Sequence, residues 1–444
     1  MASSSGDGEI RSIPAYGELR VSVDEGAKAE LILTRGKAEI FGTEIALEVP
    51  VPLSSGTSVA LFTFHGCSVR IKSQGSVHSY IVEGSDTPMT SYAELHMRLQ
   101  QQRELALSHP SNLPAPSLAA PAAPPLQAGA PAGPRVLVAG PVDYGKSTLC
   151  RILVNYCVRS GGTPVYLDLD VGQGSVTVPG VISAVTVHRP YDLEEGLGKA
   201  APLTLFFGAT SPSHNLQLFR RQVENLMAHV NRRLQAPAIR ASGIVVNTCG
   251  WIDGDGFELL AHSIETTGAD IILVIDSDRL FADLKIRFPG RSITKIRKSA
   301  GVVSRSRDQR KRPRHAFFRS YFYGLRNDLC PSSISIDVSS VQIFSITGSE
   351  TLGAHSALPI GAELELDPTR VVPIEPSNEI LHAIIGVSYA TSRETILSSN
   401  IAGFIYVTSF SDDFSRIMCL SPCPGPLPSN ILICGELKWI DTHH

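Results

Sequence analysis

Long apolar runs are missing from this chain. A membrane helix needs about 20 consecutive apolar residues, and the most apolar strands, such as "IILVI", are far shorter. The N-terminus, "MASSSGDGEI", has neither the basic nor the apolar region of a secretory signal. No membrane partner is expected. A charge excess is missing too: the formal net charge is −3 at pH 7. The global balance therefore favours no class of charged partner, and any basic site must be local. Cysteine is thinly spread. Eight residues scattered over 444 suit reduced thiols in the cytosol or nucleus, not a disulfide framework. Cys419 and Cys423 stand close in "CLSPC", but a zinc site needs two more ligands, and only His443 and His444 are near. No Asn-Lys pair occurs, which removes the Asn-Lys-x-Asp guanine clamp expected of a GTPase.

What is present describes a soluble globular chain, with 43% hydrophobic and 18% charged residues. Its length calls for two or three domains. Residues 1 to about 107 read as a β-domain. "ELRVSV", "AELILT" and "VALFTFHGCSVRI" are short strands between glycine turns, and "SYAELHMRLQQQRELAL" closes the unit as a helix. Residues 108–134 are dominated by Pro, Ala and Gly without charge, and read as a linker that buries no core. From 135 to about 325, strand candidates alternate with helical stretches: "RVLVAG", "PVYLDLD", "PLTLFFG", "GIVVNTCG", "IILVID" and "SITKIR". That alternation predicts an α/β domain with a parallel, doubly wound sheet. Residues 326–444 return to β-type runs and predict a small third, β-rich domain.

The start of the α/β region carries the sharpest signal. Gly140-x4-Gly145-Lys146-Ser147 follows a strand and opens a helix. This is the phosphate-loop spacing. A glycine-rich turn aims backbone N–H groups into one concavity, and the helix N-terminus adds its dipole. Lys146 reaches the β- and γ-phosphates, and Ser147, with Thr148 beside it, offers a hydroxyl to Mg²⁺. The loop is expected to hold a nucleoside triphosphate.

Asp168 and Asp170 end the next strand in "DLDVGQG" and point to one side of it. One can orient the Mg²⁺ shell and the other can accept a proton from an attacking hydroxyl. The stretch 295–324 is dense in Lys and Arg. It can close over a transferring phosphoryl group, touch a nucleic-acid backbone, or serve as a nuclear address through "RKRPR". "NTCGW" ends a further strand, where Trp251 can stack on a base.

Together "AEIFGTE", "FTFHGCSV", "GPVDYGKSTLCRILVNY", "LDLDVGQGSVTVPG", "VVNTCGW" and "FYG" resemble the polynucleotide 5′-hydroxyl kinase family, in the branch found in pre-mRNA cleavage complexes. The segments follow the family order over most of the chain. The resemblance implies an N-terminal β-domain, a central P-loop kinase domain and a C-terminal β-rich domain. It implies transfer of the ATP γ-phosphoryl, with Mg²⁺, to the 5′-hydroxyl of RNA. By motif match, Asp143, Tyr144, Gly145, Lys146, Ser147 and Thr148 bind the ATP phosphates, and Ser147 and Asp168 face the metal. Asp170 matches the general base, with Gln173 completing its motif. Arg305 and Arg310 match lid arginines. Thr248, Gly250 and Trp251 match a Thr-x-Gly-Trp clasp on the terminal nucleotides, and Glu18 matches a residue near the adenine. Ser58 stands where vertebrate members carry a lysine, and Pro313 is expected to break the lid helix. The implied partners are RNA, subunits of the mRNA cleavage and polyadenylation machinery, and the tRNA splicing endonuclease, in the nucleus. Some members bind ATP without turning it over, so a silent, ATP-stapled scaffold is the alternative.

Overall fold

A computed structural model describes residues 8–83, 86–109, 132–197, 201–346 and 367–440. Most of the Pro/Ala-rich linker, and His443 and His444, lie outside the described residues.

The N-terminal strands form two antiparallel sheets of four and five strands. Alternation decides which side chains meet between them. In Glu18–Val23, Leu19, Val21 and Val23 turn inward onto Leu31, Leu33, Leu61 and Val69. Glu18, Arg20 and Ser22 share the other face.

The central sheet has seven strands. In chain order they are β1 (Arg135–Ala139), β2 (Val165–Asp168), β3 (Val181–Thr186), β4 (Leu203–Phe206), β5 (Ile244–Asn247), β6 (Ile271–Ile275) and β7 (Ser292–Ile296). The spatial order is β4-β3-β2-β5-β1-β6-β7. The pairs β2·β5, β5·β1, β1·β6 and β6·β7 are parallel, whereas β3 runs antiparallel to both β2 and β4. The sheet is thus mixed at one end, because "VISAVT" adds a strand that the β-α alternation did not flag.

Helices cover both faces: α1 (Met89–Ser108), α2 (Lys146–Arg159), α3 (Leu216–Arg233), α4 (Pro237–Ser242), α5 (Asp255–Thr267), α6 (Asp278–Arg287) and α7 (Arg307–Tyr323). On β1, Val136 and Val138 meet Leu149, Ile152 and Leu153 of α2, while Leu137 and Ala139 face the α3 and α5 side. Both faces are dry, which is why "RVLVA" reads as a continuous apolar run. Helix α1 does not stay with the β-domain that it follows. Its Met89, Tyr92 and Leu99 pack into the α2 layer of the central domain.

The C-terminal strands form a second seven-stranded sheet. One face carries its own core. The other joins the central core through Phe404, Tyr406, Ile433 and Trp439. Helix α7 docks there. The Phe322 ring stacks on Trp439 at 5.6 Å between centroids and 8° between planes.

Pro313 does not break α7, which runs unbroken across it from Arg307 to Tyr323. Two features offset the lost N–H. Ser306 and Gln309 form a capping box at the start, and Phe318 and Phe322 are buried in the second half. The proline falls on the exposed stretch between, so the Gln309 carbonyl that it leaves without a helical donor is not shut away from solvent.

Candidate active site

The phosphate loop turns on two left-handed residues, Asp143 at φ 58° and Gly145 at φ 85°. Gly145 is the N-cap of α2, so Lys146 and Ser147 occupy its first turn. The loop shape is fixed from outside its own sequence. At Gly250 an added Cβ would lie 2.4 Å from Val142 Cγ2 and 2.6 Å from its Cα. At Gly145 it would lie 3.2 Å from Val302 Cγ2. Arg305 clamps Asp143 twice: its backbone N–H donates to Oδ2 at 3.0 Å and its Nε to Oδ1 at 3.1 Å. The same guanidinium donates to Gln173 Oε1 at 3.0 Å. One lid residue thus touches both the phosphate loop and the Asp-x-Asp loop.

Lys146 is 6% exposed, and its ammonium donates to the Pro141 carbonyl at 2.8 Å. Burial holds its pKa below the usual lysine value, while the charge of Asp170 opposes that drift. Behind the loop, β1, β2 and β5 end side by side, and Asn247 lies level with both Asp168 and Val138. Asp168 is 2% exposed. Its Oδ1 accepts from Asp170 N at 3.2 Å and Asn247 Nδ2 at 3.0 Å. Its Oδ2 accepts from Ser175 N at 2.7 Å and Ser175 Oγ at 3.0 Å. Burial first, and the charge of Asp170 second, push its pKa up to about 6. Asp170 is less enclosed. Its Oδ1 accepts from the N–H groups of Gly172 and Gln173, both at 3.0 Å. Among the described residues its Oδ2 takes no hydrogen bond.

The structure brings Asp143, Tyr144, Gly145, Lys146, Ser147, Thr148, Asp168, Asp170, Gln173 and Arg305 around one crevice. The other expected residues are placed as follows. Arg310 donates to the Ser306 carbonyl at 3.4 Å, along its own helix. Thr248 is buried, and its hydroxyl donates to the Val138 carbonyl at 2.8 Å, inside the sheet. Gly250 backs the loop as described. Trp251 is half-buried, its ring lying where a Cβ at Gly256 would come within 2.5 Å. Glu18 is 2% exposed, and both its carboxylate oxygens are taken: Oε1 accepts from Arg20 Nε at 2.6 Å and Oε2 from Thr87 Oγ1 at 2.7 Å. Ser58 bonds Ser22 Oγ at 3.0 Å on an exposed edge. That edge is four residues along the strand from Glu18, or about 13 Å.

Several contributors escaped the sequence. Asn247 is fully buried, accepts from Ser147 Oγ at 3.4 Å and donates to Asp168. A polar residue closing "IVVN" was its signal. Arg20 reaches from the β-domain to Ser299 Oγ at 3.4 Å, and Lys298 sits 4.1 Å above the Tyr144 ring. Nothing in spacing pointed to these. "RKRPR" lies in α7, where Arg312 pairs with Glu25 of the β-domain.

Family models match in chain order. Residues 12–106 match the N-terminal beta-sandwich domain of polyadenylation factor. Residues 140–324 match the P-loop of mRNA cleavage and polyadenylation factor CLP1, and residues 329–441 match pre-mRNA cleavage complex II protein Clp1. The chain belongs to the Clp1 family. Relatives agree over nearly full length. The Protein CLP1 homolog of Dictyostelium discoideum is 38% identical, covering 98% of this chain and 90% of that one. The Polyribonucleotide 5′-hydroxyl-kinase Clp1 of Homo sapiens is 38% identical, covering 96% and 95%. A solved Clp1p–Pcf11p complex superposes with a TM-score of 0.79 at 22% identity, over 98% of this chain and 100% of that one. That likeness supports the fold: a Clp1 architecture of β-sandwich, P-loop domain and β-rich C-terminal sheet.

Proposed function

We propose that this chain is an ATP-dependent RNA 5′-hydroxyl kinase that works as a subunit of the mRNA 3′-end cleavage and polyadenylation machinery. The observation that carries the chemistry is Asp170. Two backbone N–H groups fix one of its oxygens, and the other takes no bond from any described residue. A carboxylate so oriented beside a phosphate loop suits a general base.

In this reading the loop backbone and the α2 N-terminus take the ATP phosphates. Lys146 supplies buried positive charge, and its low exposure keeps that charge poorly screened. Asp170 accepts the proton of the RNA 5′-hydroxyl. Arg305, already at the loop mouth, shifts its guanidinium toward the transferring group. Trp251 offers a ring to the terminal base. The Ser147 hydroxyl fits a hard cation such as Mg²⁺ as a direct ligand, whereas Asp168, expected to face the metal, already takes two donors on each oxygen and would act from behind through Asn247. When bound, that ion would neutralise phosphate charge. Nuclear location and a link to the tRNA splicing endonuclease belong to the same proposal.

The test is transfer of labelled γ-phosphate from ATP to a 5′-hydroxyl RNA, wild type beside Asp170→Asn. Label that vanishes in the variant supports the kinase. Wild-type protein that binds ATP yet leaves the RNA unlabelled would overturn it. A second reading, ATP as a structural staple, has its own support. The crevice is bordered by two domains, with Arg20 of the sandwich on Ser299 of the central domain. A ligand there would tie both together whether or not it reacts.

A further inference from the structure

We infer that Asn247 is a positioning residue that sets both the metal-binding hydroxyl of Ser147 and the loop that bears the base. The inference rests on the kinase reading and deepens it.

The argument begins with hydrogen-bond capacity. An amide both accepts and donates, from fixed atoms on one plane. Asn247 is 0% exposed at the end of β5, between the ends of β1 and β2. Its oxygen accepts from Ser147 Oγ at 3.4 Å, and its nitrogen donates to Asp168 Oδ1 at 3.0 Å. The partners dictate this orientation. A flipped amide would turn its oxygen onto the Asp168 carboxylate, which offers only acceptors.

Each bond has a consequence. A hydroxyl that donates its proton inward leaves its lone pairs facing the crevice, as a cation ligand must. On the other side, the bond holds Asp168 Oδ1 in place, and that atom also accepts from the Asp170 backbone N–H at 3.2 Å. Asp170 then presents its carboxylate from a fixed turn. Asp168 is itself saturated, with two donors on each oxygen. It therefore cannot replace the contact to Ser147 by rotating. No other side chain bonds Ser147 Oγ among the described residues. Aspartate at 247 would keep the acceptor but lose the donor, and would put a second charge beside a dry carboxylate. Alanine would lose both.

The test measures equilibrium ATP binding with Mg²⁺ and in chelator, and saturated phosphate transfer to RNA, for wild type, Asn247→Ala and Asn247→Asp. Changes to groups that orient metal ligands typically lower metal affinity about 10–100-fold. In Asn247→Ala the ratio of Mg·ATP to metal-free ATP affinity is expected to fall about tenfold, while metal-free binding stays within about threefold. Asn247→Asp, which keeps the acceptor for Ser147, is expected to lose transfer rate at saturating ATP. Asn155→Ala is the control. Asn155 is also 0% exposed, but bonds Phe41 O, Thr43 Oγ1 and Tyr191 N, so its loss should lower stability without moving the ratio. A wild-type ratio and rate in both Asn247 variants would overturn the inference and leave the kinase standing. Wild-type protein indifferent to Mg²⁺ would overturn the kinase reading and this inference with it.

Discussion

Replacing Gly250 with alanine isolates what holds the phosphate loop in shape. The new methyl group would stand 2.4 Å from Val142 Cγ2, and 2.6 Å from both its Cα and its N. A side chain can swing aside, but these last two atoms are backbone. Ordinary contact is about 3.5 Å, so the loop must retreat by nearly 1 Å. Overpacking of this kind costs about 1–3 kcal/mol of stability. The functional effect is separable. A displacement of about 1 Å costs a reaction about 100-fold, and a loop whose N–H groups no longer converge should bind ATP about tenfold more weakly, since 1.4 kcal/mol is a factor of ten. At a hundredfold over its dissociation constant, ATP stabilises the wild type by about 2.7 kcal/mol. A tenfold weaker site at the same concentration gives about 1.4 kcal/mol. Chemical unfolding with and without ATP reads both quantities in one experiment. A Gly250→Ala variant that unfolds like wild type, and keeps the whole ATP-induced gain, would refute the packing argument.

Other outcomes follow from the same contacts. Lys146→Ala should abolish phosphate transfer to RNA, and label on the RNA in that variant would place the catalyst elsewhere. Arg305→Ala removes the only described guanidinium shared by Asp143 and Gln173; transfer rate at saturating ATP should fall at least tenfold while the melting temperature changes little. His96 should report on acid stability. Burial first, and the charges of Arg103 and Arg159 second, lower its pKa to about 4. Its contribution is therefore full above the unfolded value near 6.5 and is lost as pH falls through 4, by up to about 3 kcal/mol. Urea unfolding between pH 7 and 4 should show that loss, and His96→Gln should flatten it. Pro313→Ala restores an N–H to an exposed helix turn, so α7 should gain stability of up to about 3 kcal/mol, read as slower amide exchange over residues 307–323.

How much of this was legible in advance depends on how local each cause is. The phosphate loop was, because its turn, its glycines and its helix all lie within one short stretch. Five strands of the central sheet were, because both faces are buried and the runs are largely apolar; the mostly exposed edge strand Ser292–Ile296 was also read, without that support. The seventh, Val181–Thr186, was not, because no helix separates it from either antiparallel neighbour. Helix α1 was read as the end of the sandwich, since nothing local tells a helix which domain its apolar face will cover. Pro313 misled for a related reason: the aromatic docking of Phe318 and Phe322 on the C-terminal sheet comes from residues more than eighty positions away.

The site divides along the same line. Residues that touch a ligand sit in motifs, because chemistry needs them at fixed spacing. Residues that shape the motif are scattered. Asp143 is held by Arg305, Val142 by Gly250, Gly145 is overhung by Val302, and Ser147 is tied to Asn247. They come from two later segments, residues 247–250 and 302–305, and each touches a different residue of one short loop. A loop rich in glycine and left-handed turns has little intrinsic preference for its shape. Its geometry must therefore be imposed by neighbours. The motif spacing alone can thus survive in a chain whose loop no longer holds its shape. A working phosphate loop therefore needs these four contacts in addition to Lys146.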